Sequence, residues 1–230
     1  MKKLLALTTV LVIFGIAIST VLAEPKEKEP VDSITFIHYK DGKIKPIDQR
    51  GKAPTCYKLM GVKWKSFPVD YYIGKNVDSS AISESTNEWD IHTSTGLFGT
   101  GKLDDSANFD VSPDGRNEYS YGDYDDTGKC PTSEPCAIAV TRTWYTRFSK
   151  QIVEYDVIFD SDFQWGNGDP TKMDWQNIAT HETGHGIGLA DIYNDACSTV
   201  TMYGYSWAGD IGKRTLEQPD IIGLIKLYGA

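Results

Sequence analysis

From about Tyr57 onward the apolar positions follow two rhythms, one of period two and one of period three to four, which together predict strands with helices packed on them. Val69 to Ile73 reads as a strand. Asp78 or Ser79 can cap a helix running toward Trp89 and His92, with Ala81, Ile82, Ser85 and Trp89 on one face. Asn108 to Val111, Asn117 to Gly122, Ala137 to Trp144 and Val153 to Asp160 read as further strands, separated by turns rich in Gly, Pro and Asp. A second helix starts between Thr171 and Asp174. The last begins near Gln218-Pro219, with proline in its first turn, and buries Ile221, Leu224, Ile225 and Tyr228 at helical spacing. This order predicts an α+β domain, a twisted sheet laid over helices. Upstream, Ile34 to Tyr39 alternates enough for one more strand, and Asp41-Gly42 is a turn signal after it. The pattern leaves open whether that strand belongs to the main domain or to a short leader.

The first residues carry a different message. Met1-Lys2-Lys3 precede an uncharged run from Leu4 to Ser19, and small residues follow at Val21-Leu22-Ala23. This predicts a signal peptide over residues 1–23 and a secreted protein. An uncleaved anchor is the alternative, since the run approaches the roughly 18 residues of a spanning helix. Residues 24–33, EPKEKEPVDS, are charged and without apolar periodicity, so residues 24–54 read as a leader or short prosegment. Residues 55–230 are then one main domain, because 230 residues can bury one sizeable core but hardly two. Removal of Lys2 and Lys3 takes the formal charge from 23 − 32 = −9 to 21 − 32 = −11. So acidic a chain, with no cluster of Lys or Arg, excludes nucleic acid as a partner and argues against docking on anionic lipid. A monomer is expected. Four cysteines in an exported chain point to disulfides, and four allow three pairings. Cys130 and Cys136 flank a short loop with Pro131 and Pro135, which makes their bridge the simplest choice and leaves Cys56 with Cys197.

The chemistry sits in His181-Glu182-Thr183-Gly184-His185-Gly186-Ile187-Gly188-Leu189-Ala190-Asp191. Histidines at i and i+4 share one face of a helix and can reach one ion. Glu182 projects beside them, placed to act on a water without becoming a ligand. A catalytic zinc needs three protein ligands and an open fourth position. In a continuous helix Asp191 would lie roughly 15 Å along the axis from His181, out of reach. Gly188 removes the difficulty, because glycine tolerates the left-handed turn that ends a helix and lets the chain double back. His38 and His92, each alone, read as ordinary core or surface residues.

This stretch resembles the zinc-binding signature of the metzincin metalloproteases, and the rest of the chain is similar to their matrixin branch. Thr201-Met202-Tyr203 stands where such enzymes carry the methionine turn that floors the metal site. Residues 216–229, LEQPDIIGLIKLYG, resemble the closing matrixin helix, and Lys63-Trp64, Pro68 to Ile73 and Ser79 to Trp89 resemble the first strand and helix. The resemblance covers residues from about 55 to 230. It implies a metzincin or zincin-like fold: a twisted, mostly parallel sheet with an antiparallel edge strand, a zinc-binding active-site helix and a C-terminal helix. It also implies one zinc ion on His181, His185 and Asp191, Glu182 as general base, and hydrolysis of peptide bonds in extended polypeptides. Ala137 to Trp144 would be the edge strand that pairs with substrate, and Tyr203 to Trp207 would wall the specificity pocket.

One departure is visible. The usual third ligand of the family is histidine, and this chain has Asp191, as in a metzincin subset that includes snapalysin-like enzymes. An anionic ligand lowers the charge of the site and weakens its acidification of water, so more falls on Glu182. The cysteine that blocks the metal in family propeptides has only a faint echo in Pro54-Thr55-Cys56, where a disulfide is the simpler reading. Calcium could bind acidic loops such as Asp123 to Asp126, although a solvated turn explains the same residues. A serine hydrolase is argued against by Gly204-Tyr205-Ser206-Trp207-Ala208, which lacks the second glycine of a nucleophile elbow. A secreted binding protein on the same scaffold, weak or inactive as a catalyst, is the alternative function. Glu182 argues against it, since such a protein has no need of the base.

Overall fold

The computed structural model describes residues 29–40, 55–125 and 136–230. The expected signal peptide, Asp41-Gly42, Asp126, Cys130, Pro131 and Pro135 lie outside the described residues. Alternating burial marks the first strand, β1 (Val31–Lys40), whose even-numbered side chains face inward from Asp32 to His38. Next come β2 (Tyr72–Ile73), helix α1 (Ser79–Asp90), β3 (Lys102–Leu103) and β4 (Glu118–Gly122). The long strands β5 (Ala137–Thr146) and β6 (Ile152–Asp160) follow, then β7 (Trp165–Gly166) and β8 (Met173–Asp174), which pair only with each other. Helix α2 (Trp175–Gly186), β9 (Tyr205–Ser206) and helix α3 (Gln218–Tyr228) complete the order.

Among the described residues the main sheet runs β3-β2-β4-β6-β5-β1-β9. Its pairs are parallel from β3 to β6 and again between β1 and β9, and antiparallel on both sides of β5. The fold is therefore the expected mixed α/β domain with a mostly parallel sheet and an antiparallel strand. One detail is corrected: β5 is not an edge. Val31–Lys40 lies along it in register from Val31 opposite Thr146 to Tyr39 opposite Ala137, satisfying the backbone groups an edge would expose.

Two further expectations fail for local reasons. Asn108 to Val111 is a loop rather than a strand, because the N–H groups of Asn108 and Asp110 donate to carboxylates of Glu118 and Asp156 (3.3 and 3.2 Å) instead of a neighbouring backbone. In α3 the inward stripe is Asp220, Gly223, Leu224 and Leu227, while Ile225 stands one position further round and is 37% exposed. The buried face of α1 is the one expected, Ala81, Ile82, Ser85 and Trp89, with Thr86 added. Its Trp89 indole donates to the Thr180 carbonyl at 2.9 Å, locking α1 against α2. From the other end the Trp64 indole donates to the Gly186 carbonyl at 2.8 Å. A Cys56–Cys197 disulfide, closing 141 residues, ties the start of the main domain to the turn before Met202.

Candidate metal centre

Helix α2 starts on Asp174, whose carboxylate accepts the Asn177 N–H at 3.0 Å, and ends where Gly188 adopts φ +101°. A Cβ at Gly188 would also stand 2.4 Å from the Val62 carbonyl oxygen, so both the turn and its surroundings require glycine. The Leu189 N–H then donates back to the Gly184 carbonyl at 2.9 Å, and the chain folds under the helix. By this route Asp191 reaches the two histidines. Its Oδ1 lies 3.1 Å from His181 Nε2 and 3.4 Å from His185 Nε2, and the two Nε2 atoms are 3.1 Å apart.

The outer hydrogen bonds decide what these atoms are. His181 Nδ1 donates to the Thr201 carbonyl at 2.7 Å and His185 Nδ1 to the Leu189 carbonyl at 2.8 Å. With the protons held there, both Nε2 lone pairs face each other and a carboxylate oxygen that has no hydrogen-bond donor. Three buried acceptors so placed repel one another unless a cation sits among them. Tetrahedral zinc with bonds of about 2.0–2.1 Å would separate its donors by about 3.3 Å, which the three distances bracket. These residues therefore fit a zinc ion. Burial, helped by the nearby Lys213 and His185 and opposed by Asp191, lowers the pKa of His181 to about 4, which keeps its imidazole neutral as a ligand must be.

Around this triad stand groups that the sequence named, Glu182 and Met202, and others that it did not, Tyr193, Thr141 and His38. The Tyr193 hydroxyl donates to Asp191 Oδ2 at 2.9 Å and fixes the second carboxylate oxygen. Glu182 is fully buried; Thr141 of β5 donates to its Oε2 at 2.5 Å, and burial raises its pKa to about 7. Met202 lies beneath α2, so close that a Cβ on Gly184 would stand 2.3 Å from its sulfur. Tyr203 and Tyr205 belong to the core, and of the expected pocket wall Trp207 is the half-exposed member. His38, read from sequence as an ordinary residue, is buried at the site with Nδ1 3.2 Å from Glu182 Oε1. A lone histidine 144 positions from Glu182 carries no local signal of that contact. His92 does pair locally, with Glu88 at 3.2 Å. Of the acidic loop considered for calcium, Asp123 converges with Asp160 and Asp162, and a second cluster joins Asp110, Asp114 and Glu118.

Comparison with known proteins agrees with this geometry over the second half of the chain. Residues 139–229 match the matrixin family of peptidases. Matrilysin of Homo sapiens is 35% identical over 74 residues, and matrilysin of Rattus norvegicus 35% over 75, each match covering 32% of this chain. Matrilysin of Mus musculus is 32% identical over 74 residues. The chain spans 27% of the length of these curated relatives. Over that shared stretch, β5 through α3, the chain is matrixin-like, and the likeness points to a metalloprotease hydrolase.

Proposed function

We propose that the chain is a secreted, zinc-dependent endopeptidase whose metal is held by His181, His185 and Asp191. The observation that carries this reading is the set of three buried acceptor atoms 3.1–3.4 Å apart, each histidine tautomer fixed by a carbonyl behind it. A bound zinc supplies Lewis acidity toward a scissile carbonyl and a water. Glu182 takes the proton of that water on Oε1 and returns it to the leaving amine. Thr141 anchors Oε2, so the other oxygen is the one aimed at the reaction. A pKa near 7 suits a group that must both accept and release a proton at neutral pH. An extended polypeptide would pair along β5, whose main-chain groups read little sequence. The Cys56–Cys197 bridge is in keeping with an oxidising, extracellular setting.

The reading is tested by zinc content together with casein hydrolysis in the presence and absence of a chelator. About one zinc per chain and hydrolysis that the chelator abolishes are expected. Hydrolysis indifferent to the chelator would overturn the proposal.

A further inference from the structure

The turn that joins β5 to β6 holds an aromatic ring out in solvent. Phe148 is 76% exposed at its tip. The turn is fastened from several sides. The Thr146 N–H donates to the Gln151 carbonyl at 2.9 Å and the Lys150 N–H to the Thr146 carbonyl at 3.1 Å, while the Glu29 carboxylate accepts the N–H groups of Phe148 and Ser149. Lys150 adopts φ +54°, a conformation in which glycine or asparagine is the least strained choice, yet the position carries a lysine. A backbone pinned in this way presents the ring rather than leaving it loose.

Around the tip the fold gathers cations that the sequence scatters. Lys63 and Lys65 flank the buried Trp64, so alternation turns both outward. The Lys63 N–H donates to the Lys150 carbonyl at 3.2 Å and Lys65 Nζ to the Ser149 carbonyl at 2.7 Å, which lays this segment along the turn. Lys63 Nζ also donates to the Leu227 carbonyl at 2.8 Å, bringing the end of α3 and Lys226 to the same face. Lys63, Lys65, Arg147, Lys150 and Lys226 are all exposed. Among the described residues the carboxylates bonded to this face are Asp32, 2.7 Å from Arg147, and Glu29. Five cations against two carboxylates leave an excess of three positive charges, on a chain whose formal charge is −9. The acidity that argues against lipid docking is thus an average over unlike faces.

We propose that this face docks the protein reversibly on a lipid surface with anionic headgroups: Phe148 enters the interface and the lysines around it pair with headgroup phosphates. Each half of the arrangement has its own work. Lysines near an anionic bilayer strengthen binding by about fivefold apiece, and they draw the acidic chain in by this face rather than another. The ring then trades water for the acyl boundary, while the long lysine stems keep their ammonium groups at the headgroup level. An apolar tip ringed by cations is what separates a membrane from a soluble polyanion, which could use the lysines and would gain nothing from the phenylalanine. One ring and a small excess of charge give exchange between membrane and water, not a permanent anchor. The proposal stands apart from the metal centre and does not depend on the endopeptidase reading.

The test is sedimentation with vesicles of phosphatidylcholine, alone or mixed with phosphatidylglycerol, using the chain from Glu24 so that the apolar run Leu4 to Ser19 contributes nothing. Binding to the mixed vesicles should be at least about tenfold tighter than to phosphatidylcholine alone. Raising salt from about 0.1 M to about 1 M shortens the reach of exposed charges from about 10 Å to about 3 Å, and binding should fall with it. Lys65→Gln/Lys150→Gln should weaken binding on the order of twentyfold, and Phe148→Ser by at least about fivefold. A matched change elsewhere, Lys102→Gln/Leu103→Ser on β3, where Leu103 is also 76% exposed, should bind like the parent. Equal binding to the two kinds of vesicle, or binding unchanged in Phe148→Ser or in the double lysine variant, would overturn the proposal. Binding to heparin as tight as to the mixed vesicles and indifferent to Phe148→Ser would assign the face to a soluble polyanion and overturn it as well.

Discussion

Helix α2 and strand β1 both bear on β5, and they are built to different ends. Along α2 every residue from Trp175 to Gly186 except Gln176 is buried, its start is capped by Asp174, and its end is set by a glycine no other residue can replace. Each of its histidines is fixed by a carbonyl from a different turn. β1 alternates between exposed and inward positions, and its main attachment is a backbone ladder that any extended chain can make. The first wall cannot leave without unfolding the domain. One side of β5 is thus held by side chains particular to this sequence, and the other chiefly by backbone pairing.

The contrast breaks most sharply at the metal. His185→Ala and Asp191→Ala should each lose zinc and all hydrolysis, read by elemental analysis and casein turnover, whereas Glu182→Ala should keep zinc and lose hydrolysis by about 10²–10⁴-fold. Retention of full activity by Glu182→Ala would remove it as the base. Next in size are changes to what holds the permanent wall. Losing the Cys56–Cys197 bridge by a double serine substitution should lower unfolding free energy by about 2–4 kcal/mol, measured by denaturant titration. Gly188→Ala should lower it by about 1–3 kcal/mol through backbone strain, and weaken zinc binding as well because Asp191 hangs on that turn. A Gly188→Ala protein with unchanged zinc affinity would show that the turn does not position the ligand.

The smallest effect is expected on the far side of β5, on β6. Burial raises the carboxyl of Asp156 to about 8 and that of Glu154 to about 7. Unfolded carboxylates lose their protons near pH 4, so between about pH 4 and pH 8 the folded chain holds more protons than the unfolded one. Stability should therefore fall as pH rises across that window, most steeply between about pH 5 and pH 7, where both carboxyls are still protonated in the fold and ionised in the unfolded chain, and level off as Asp156 ionises. In calcium-free buffer Asp156→Asn should flatten the fall and raise the melting temperature at pH 8. An unaltered pH profile would mean that Asp156 stays charged in the fold.

Legibility in the sequence follows the range of the interaction. The histidine pair, Glu182, Gly188 and Asp191 lie within eleven residues, and their geometry follows from helix periodicity and one glycine turn. Even the alternation of Ile34 to Tyr39 announced a strand. Its partner could not be read, since pairing with residues 137–146 across a hundred positions leaves no local trace, and His38 was therefore invisible as a site residue. Asn108 to Val111 misled because Phe109 and Val111 alternate like a strand, while the side chains that capture its N–H groups lie on β4 and β6. Ile225 misled because a helical stripe is broad enough to be read one position out of phase.

Zinc stoichiometry across four proteins tests the central claim most directly. Elemental analysis should find about one zinc in the parent and in Glu182→Ala, and none in His185→Ala or Asp191→Ala. A parent without zinc, or an Asp191→Ala protein that binds it as well as the parent, would contradict the metal centre assigned to His181, His185 and Asp191.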